Sequence, residues 1–160
     1  MKHLVSLYTR FAALASYLQS PLLLVIRLYW GWQFAQTGWG KLHNLARVTS
    51  FFASLNIPFP AFTTCFIAGL EFFGGILLIL GLGTRLIGLL LACNMFVAYY
   101  TADHTALVSF ISDPDKFSAA APYTFLFASL LVLIFGAGLF SADALILRRL
   151  PSSAQSAAAR

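Results

Sequence analysis

This sequence carries little charge. Only 9% of its 160 residues are Asp, Glu, Lys or Arg, and just five are acidic, while 60% are hydrophobic. A soluble domain of this size cannot hide so much apolar surface from water, and the mean hydropathy of +0.84 points to lipid as the natural solvent. Cysteine is scarce as well. Cys65 and Cys93 stand far apart inside apolar runs, with neither the C-x-x-C spacing of a thiol redox motif nor a zinc pattern. No basic stripe accompanies the net charge of +5; the ten Lys and Arg residues sit at the ends of apolar segments. That scatter excludes nucleic acid as a partner and reads as topology signals and lipid headgroup contacts. No strand precedes the glycines around Gly81, so a phosphate loop is dismissed. The chain also offers no nucleophile elbow and no haem or iron–sulfur ligand set. His43, His104 and the aspartates lack convincing metal-ligand spacing, so no metal is expected. Arg10 interrupts the first apolar run and no small-residue cleavage site follows, so a cleaved signal peptide is not expected.

What the sequence does have is long apolar runs. A hydrocarbon core of roughly 30 Å takes about 20 residues of helix, and four runs of suitable length occur, at about 22–40, 61–82, 85–102 and 121–141. The expected fold is all-α: a single four-helix transmembrane bundle over residues 1–150 with a disordered tail at 151–160. Pro122 suits the first turn of the fourth span. Two further segments look amphipathic. Leu4, Leu7, Tyr8, Phe11, Leu14 and Leu18 follow the helical rhythm and predict an N-terminal amphipathic helix. Leu45, Val48, Phe52 and Leu55 predict a short interfacial helix between spans one and two, ending at Ile57-Pro58-Phe59-Pro60.

Even span number puts both termini on one side. That side holds Lys2, Arg10, Arg85, Arg148, Arg149 and Arg160, against Lys41, Arg47 and Lys116 on the other. The bias predicts cytoplasmic N- and C-termini in a multi-pass inner-membrane protein. The segment from Asp103 to Pro122 is then a long external connection, suited to a lid or a docking surface.

Two charges lie within spans, Arg27 in the first and Glu71 in the second. Each costs about 2.5–3.5 kcal/mol at a helix centre. The expectation is an inward-facing Arg27–Glu71 ion pair, with the Asn94 amide of span three completing its hydrogen bonding. Such a cluster either fixes bundle register without doing chemistry, or serves as a proton relay or headgroup site. A second group, Trp32, Gln36, Trp39, Lys41, Tyr99, Tyr100, Asp103 and His104, is expected toward the outer ends of spans one and three. It reads as an aromatic belt or as a quinone or thiol-partner pocket with a titratable histidine.

Taken together, Arg27-Leu28, Gly31-Trp32, Gly38-Trp39-Gly40-Lys41-Leu42, Phe51-Phe52 with Pro58-Phe59-Pro60, Glu71 before Gly74-Gly75, and Leu80-Gly81-Leu82-Gly83-Thr84-Arg85 resemble the DoxX family of bacterial membrane proteins. Asp113-Pro114 and Ala121-Pro122-Tyr123 resemble that family's last loop. The resemblance covers about residues 20–140. It implies a four-helix inner-membrane protein akin to the small subunit of a thiosulfate to quinone oxidoreductase, or to parts of oxidative-stress complexes. Arg27, Lys41, Glu71 and Arg85 would be its polar core and anchors; no catalytic residue carries over. Three functional readings follow: a membrane subunit of a quinone-linked redox complex that relies on a redox partner protein, a non-enzymatic scaffold, or a small transporter or proton pathway. Membrane lipid is the expected partner, and a homo-oligomer is compatible with the sequence. A quinone is the cofactor that the first reading requires.

Overall fold

In hydrocarbon every backbone N–H and C=O must find its partner within the protein, which helices achieve segment by segment. The structure, a computed structural model, describes residues 2–149, and these contain helices and no strand. The elements are α1 (Lys2–His43), α2 (Leu45–Ser54), α3 (Pro60–Leu80), α4 (Thr84–Thr101), α5 (His104–Val108), α6 (Pro114–Ala119), α7 (Pro122–Phe135) and α8 (Ala142–Arg149). Among the described residues, three helices are long and apolar enough to cross a membrane: Ser6–His43 within α1, then α3 and α4. The expected tail at 151–160 lies outside the described residues.

Starts and stops follow local chemistry. Proline occupies the first turn of α3, α6 and α7, where its missing N–H has no intrahelical partner to lose. α3 stops because Gly81 turns left-handed at φ 68°, letting the Gly81 and Leu82 N–H groups donate back to the carbonyls of Leu78 and Leu77. Asp143 then caps α4: its carboxylate accepts from the Gly83 and Thr84 N–H groups and from the Thr84 hydroxyl, at 2.8–3.0 Å.

Two expectations need correction. The N-terminal amphipathic segment and the first span form one continuous helix of 42 residues that runs through Pro21. A single proline removes one donor, and the apolar residues on either side carry the helix across that gap. The described side chains from Ser6 to Gln19 are exposed, and α1 meets the rest of the protein at Ser20, whose hydroxyl accepts from the Leu139 N–H at 3.3 Å. The fourth apolar run, expected to extend to 141, is helical only to Phe135. Gly136 and Gly138 adopt φ values of 77° and 72° and break it into a short extended link before α8.

α1 packs along α3, and α4 along α7, with α3 against α4 and α1 against α7 completing the ring. Phe34, Leu78, Leu91, Met95 and Val132 meet at its centre, contributed by all four helices. Small residues bring α1 and α3 together. A Cβ on Gly75 would sit 2.5 Å from the Gly31 carbonyl oxygen and the Ala35 nitrogen, and one on Gly38 would run into the backbone of Phe72. This contact fixes an antiparallel register with Gly31 opposite Gly75 and Gly38 opposite the turn between Ala68 and Phe72. α2 lies across α3, with Phe52 buried beneath it.

Candidate functional site: an ion pair beneath an apolar cavity

The α1–α3 register decides which charges meet. Arg27, four residues before Gly31, falls opposite Gly81 at the end of α3, well away from Glu71. Lys41 falls opposite the turn just before Glu71, and side chains on a helix lean toward its N-terminus, so the lysine stem reaches back up the helix. Its Nζ donates to both Glu71 carboxylate oxygens at 2.6 Å. The expected Arg27–Glu71 ion pair is therefore not formed, and Lys41 takes the arginine's place. The fourteen positions separating Arg27 from Lys41 correspond to about 21 Å along a helix, which no side chain spans.

Asn94 on α4 donates to Glu71 Oε1 at 2.9 Å. Glu71 is 1% exposed and Lys41 31%, so the pair links the protein interior to its surface near the end of α1. Above it lies a cavity of about 230 Å³. Its floor is Lys41, Glu71 and Asn94. Val48, Phe51 and Phe52 of α2, with Leu55 just after it, wall one side, and Ile67, Met95, Ala98 and Thr101 of α3 and α4 close the others. Counting donors and acceptors shows what the floor offers. Lys41 has three N–H donors and spends two on Glu71; Glu71 Oε1 accepts twice, while Oε2 accepts only from Lys41. One ammonium donor and one carboxylate lone pair remain for a guest.

Arg27 has a different task. It is fully buried and its guanidinium donates to the carbonyls of Ala137 and Phe140 at 2.6 Å each, with Asp143 close enough to act on it electrostatically. It ties α1 to the link between α7 and α8, satisfying carbonyls that the glycine breaks release. A Cβ on Gly81 would collide with this guanidinium. Charged and hydrogen-bonded at once, Arg27 holds together the end of the molecule opposite the cavity.

Of the second expected group, Lys41 lines the cavity and the other seven do not. Trp32, Gln36 and Tyr100 are exposed. Trp39 packs on His43 and Phe72, with ring centroids 4.1 and 5.4 Å away. Tyr99 is buried, donates to the Phe117 carbonyl at 2.7 Å and stacks on the Phe117 ring. His104 meets Tyr100 edge-on, and Asp103 precedes α5. Sequence reasoning missed the α2 wall. The rhythm of Val48, Phe52 and Leu55 gave the helix its apolar face, and that face covers the cavity and α3.

The DoxX family model matches residues 22–104. Among curated proteins, a Bacillus subtilis (strain 168) protein named "Putative oxidoreductase CatD" is 33% identical over 78 residues, covering 49% of this chain and 57% of the relative. The chain thus spans little more than half the length of that relative. No solved structure matches.

Proposed function

Because the chain belongs to the DoxX family, we propose that it is a membrane subunit of a quinone-linked redox complex, with the cavity over Lys41, Glu71 and Asn94 as the headgroup site. The observation that carries this reading is the floor's composition: one free cationic donor beside one free carboxylate lone pair, at the base of apolar walls. A group that alternates between carbonyl and hydroxyl needs a donor in one state and an acceptor in the other, and these two residues supply both. The volume, about 230 Å³, is below the roughly 300 Å³ where drug-sized sites begin, which suits a single ring with its apolar tail outside. The curated relative's name, an oxidoreductase, agrees in chemical class.

A quinone bound there would supply two-electron, two-proton chemistry, and a partner protein would supply or receive the electrons. The chain's own residues bind and handle protons. Lys41 holds a carbonyl oxygen, Glu71 accepts from a hydroxyl, Asn94 keeps the Glu71 carboxylate turned toward the cavity, and the partly exposed Lys41 connects the buried carboxylate to the surface. In this reading α1, α3, α4 and α7 form a four-helix transmembrane bundle in a bacterial inner membrane with cytoplasmic termini. α7, at 14 residues or about 21 Å of helix, completes its crossing with the Gly136–Ser141 link.

The test is extraction of the protein in mild detergent, followed by solvent extraction and quantification of bound quinone per chain. The parent protein should carry quinone, and Glu71→Gln should lose most of it while still folding. A parent free of quinone that nonetheless holds stable protein partners would favour a scaffold and overturn this reading.

A further inference from the structure

At the opposite end of the molecule a second cavity, of about 550 Å³, opens between the start of α4, the Gly136–Ser141 link and α8. Its walls are largely apolar, from Leu86, Phe135, Leu139 and Leu147, all of which are also exposed at the protein's surface. One cation stands in it. Arg85 is exposed, and among the described residues it makes no hydrogen bond or ion pair. Its guanidinium lies over Gly136, where a Cβ would come within 3.2 Å of Nε.

The acid nearby is already committed. Asp143 lines the same cavity, but its two carboxylate oxygens accept three hydrogen bonds from Gly83 and Thr84. Arg148 and Arg149 follow directly on the stretch of α8 that lines the cavity. Among the described residues, this end therefore carries an unpaired arginine in an apolar recess, two more arginines directly after the α8 wall, and no carboxylate left free.

We propose that this recess binds an anionic phospholipid, its phosphate on Arg85 and its acyl chains along Leu86 and Phe135. A cation flanked by outward-facing apolar side chains matches an amphiphile whose charge and hydrocarbon are adjacent; a free inorganic anion would leave those walls bare. The anionic leaflet of a bacterial inner membrane supplies such lipids, and basic recesses between helices are where they are held. The site is separate from the Lys41 cavity and does not depend on any function assigned there.

Native mass spectrometry of the detergent-purified full chain, titrated with phosphatidylglycerol and with phosphatidylcholine, tests it. Phosphatidylglycerol should be retained preferentially. Arg85→Gln should weaken it by about fivefold, the contribution of one arginine near a membrane surface, and Arg85→Lys should recover part of the loss. A photoreactive phosphatidylglycerol should label residues 83–86 and 135–147 of the unmodified protein, a readout that needs no variant. Equal retention of both lipids, labelling elsewhere, or millimolar inorganic phosphate displacing the lipid would each overturn the proposal.

Discussion

The two sides of the Lys41–Glu71 pair differ in a way that sets the outcome of breaking it. Glu71 is enclosed, whereas the lysine stem reaches the surface. Removing the carboxylate with Glu71→Gln leaves an ammonium that can swing outward into water or headgroups, and the new amide can still accept from Lys41. Removing the ammonium with Lys41→Met leaves a buried carboxylate with one amide donor, the situation that costs about 3–5 kcal/mol. Thermal unfolding in detergent should rank parent above Glu71→Gln and both above Lys41→Met, with the double variant recovering much of the Lys41→Met loss. A Lys41→Met protein as stable as Glu71→Gln would mean that the carboxylate is not held by the lysine. The sequence displayed all the participants: Arg27 and Lys41 share one face of the first span, and Glu71 and Asn94 sit inward on the next two. Which cation met the acid was not legible. That choice depends on the relative sliding of α1 and α3, set by Gly31, Gly38 and Gly75 backbone contacts to within a turn. Hydropathy fixes depth only to several residues.

At the scale of elements, those same glycines carry the α1–α3 contact, and they divide cleanly from a neighbour that does not. A methyl on Gly75 meets backbone of α1 at 2.5 Å, whereas one on Gly69 of the same helix meets nothing within 4 Å. Backbone atoms cannot rotate away, so Gly75→Ala must push α1 and α3 apart, at a cost of about 1–3 kcal/mol or more. Gly69→Ala should be neutral or stabilising by up to about 1 kcal/mol, because alanine is the better helix former. Comparing the melting temperatures of the two variants checks this, and equal shifts would place the helices further apart than described. The short α5, α6 and α8 were not expected, whereas the existence of the long helices and of α2 was legible, since long apolar runs and helical periodicity survive any packing. Helix ends were less so. α1 merged the expected amphipathic helix with the first span because the one hydrogen bond lost at Pro21 does not stop the helix. α7 stopped early because the Ala137 and Phe140 carbonyls find a replacement partner in Arg27, 110 and 113 residues away, which no local pattern can announce. The cavity wall from α2 escaped notice for a related reason. An apolar helical face says that something is covered, without saying what.

For the whole molecule, the proposed inner-membrane placement leaves one variable, which end would face the cytoplasm, and the two ends are chemically distinct. The Arg27 end collects Arg85, Arg148 and Arg149, while the Lys41 end carries Arg47 and Lys116 and the exposed acids Asp113 and Asp115. Lysine and arginine near span ends orient membrane proteins, and acids contribute little, so the Arg27 end should be cytoplasmic. α1 sharpens the expectation, because 42 residues make about 63 Å of helix, twice a hydrocarbon core of roughly 30 Å. Its overhang projects from the Arg27 end with Arg10 on it, adding a further cation to that side. A cytoplasm-dependent reporter fused after Arg160 should then be active, and an export-dependent reporter at the same place silent. A cysteine placed at exposed Ser118 in α6, in a chain with Cys65 and Cys93 replaced by serine, should react with a membrane-impermeant maleimide in intact cells. The two readouts sit at opposite ends and must agree. Were the reporter silent and Ser118→Cys shielded, the molecule would be inverted, the Lys41 cavity would face the cytoplasm, and the proton exchange proposed for Glu71 would be with the inner rather than the outer aqueous phase.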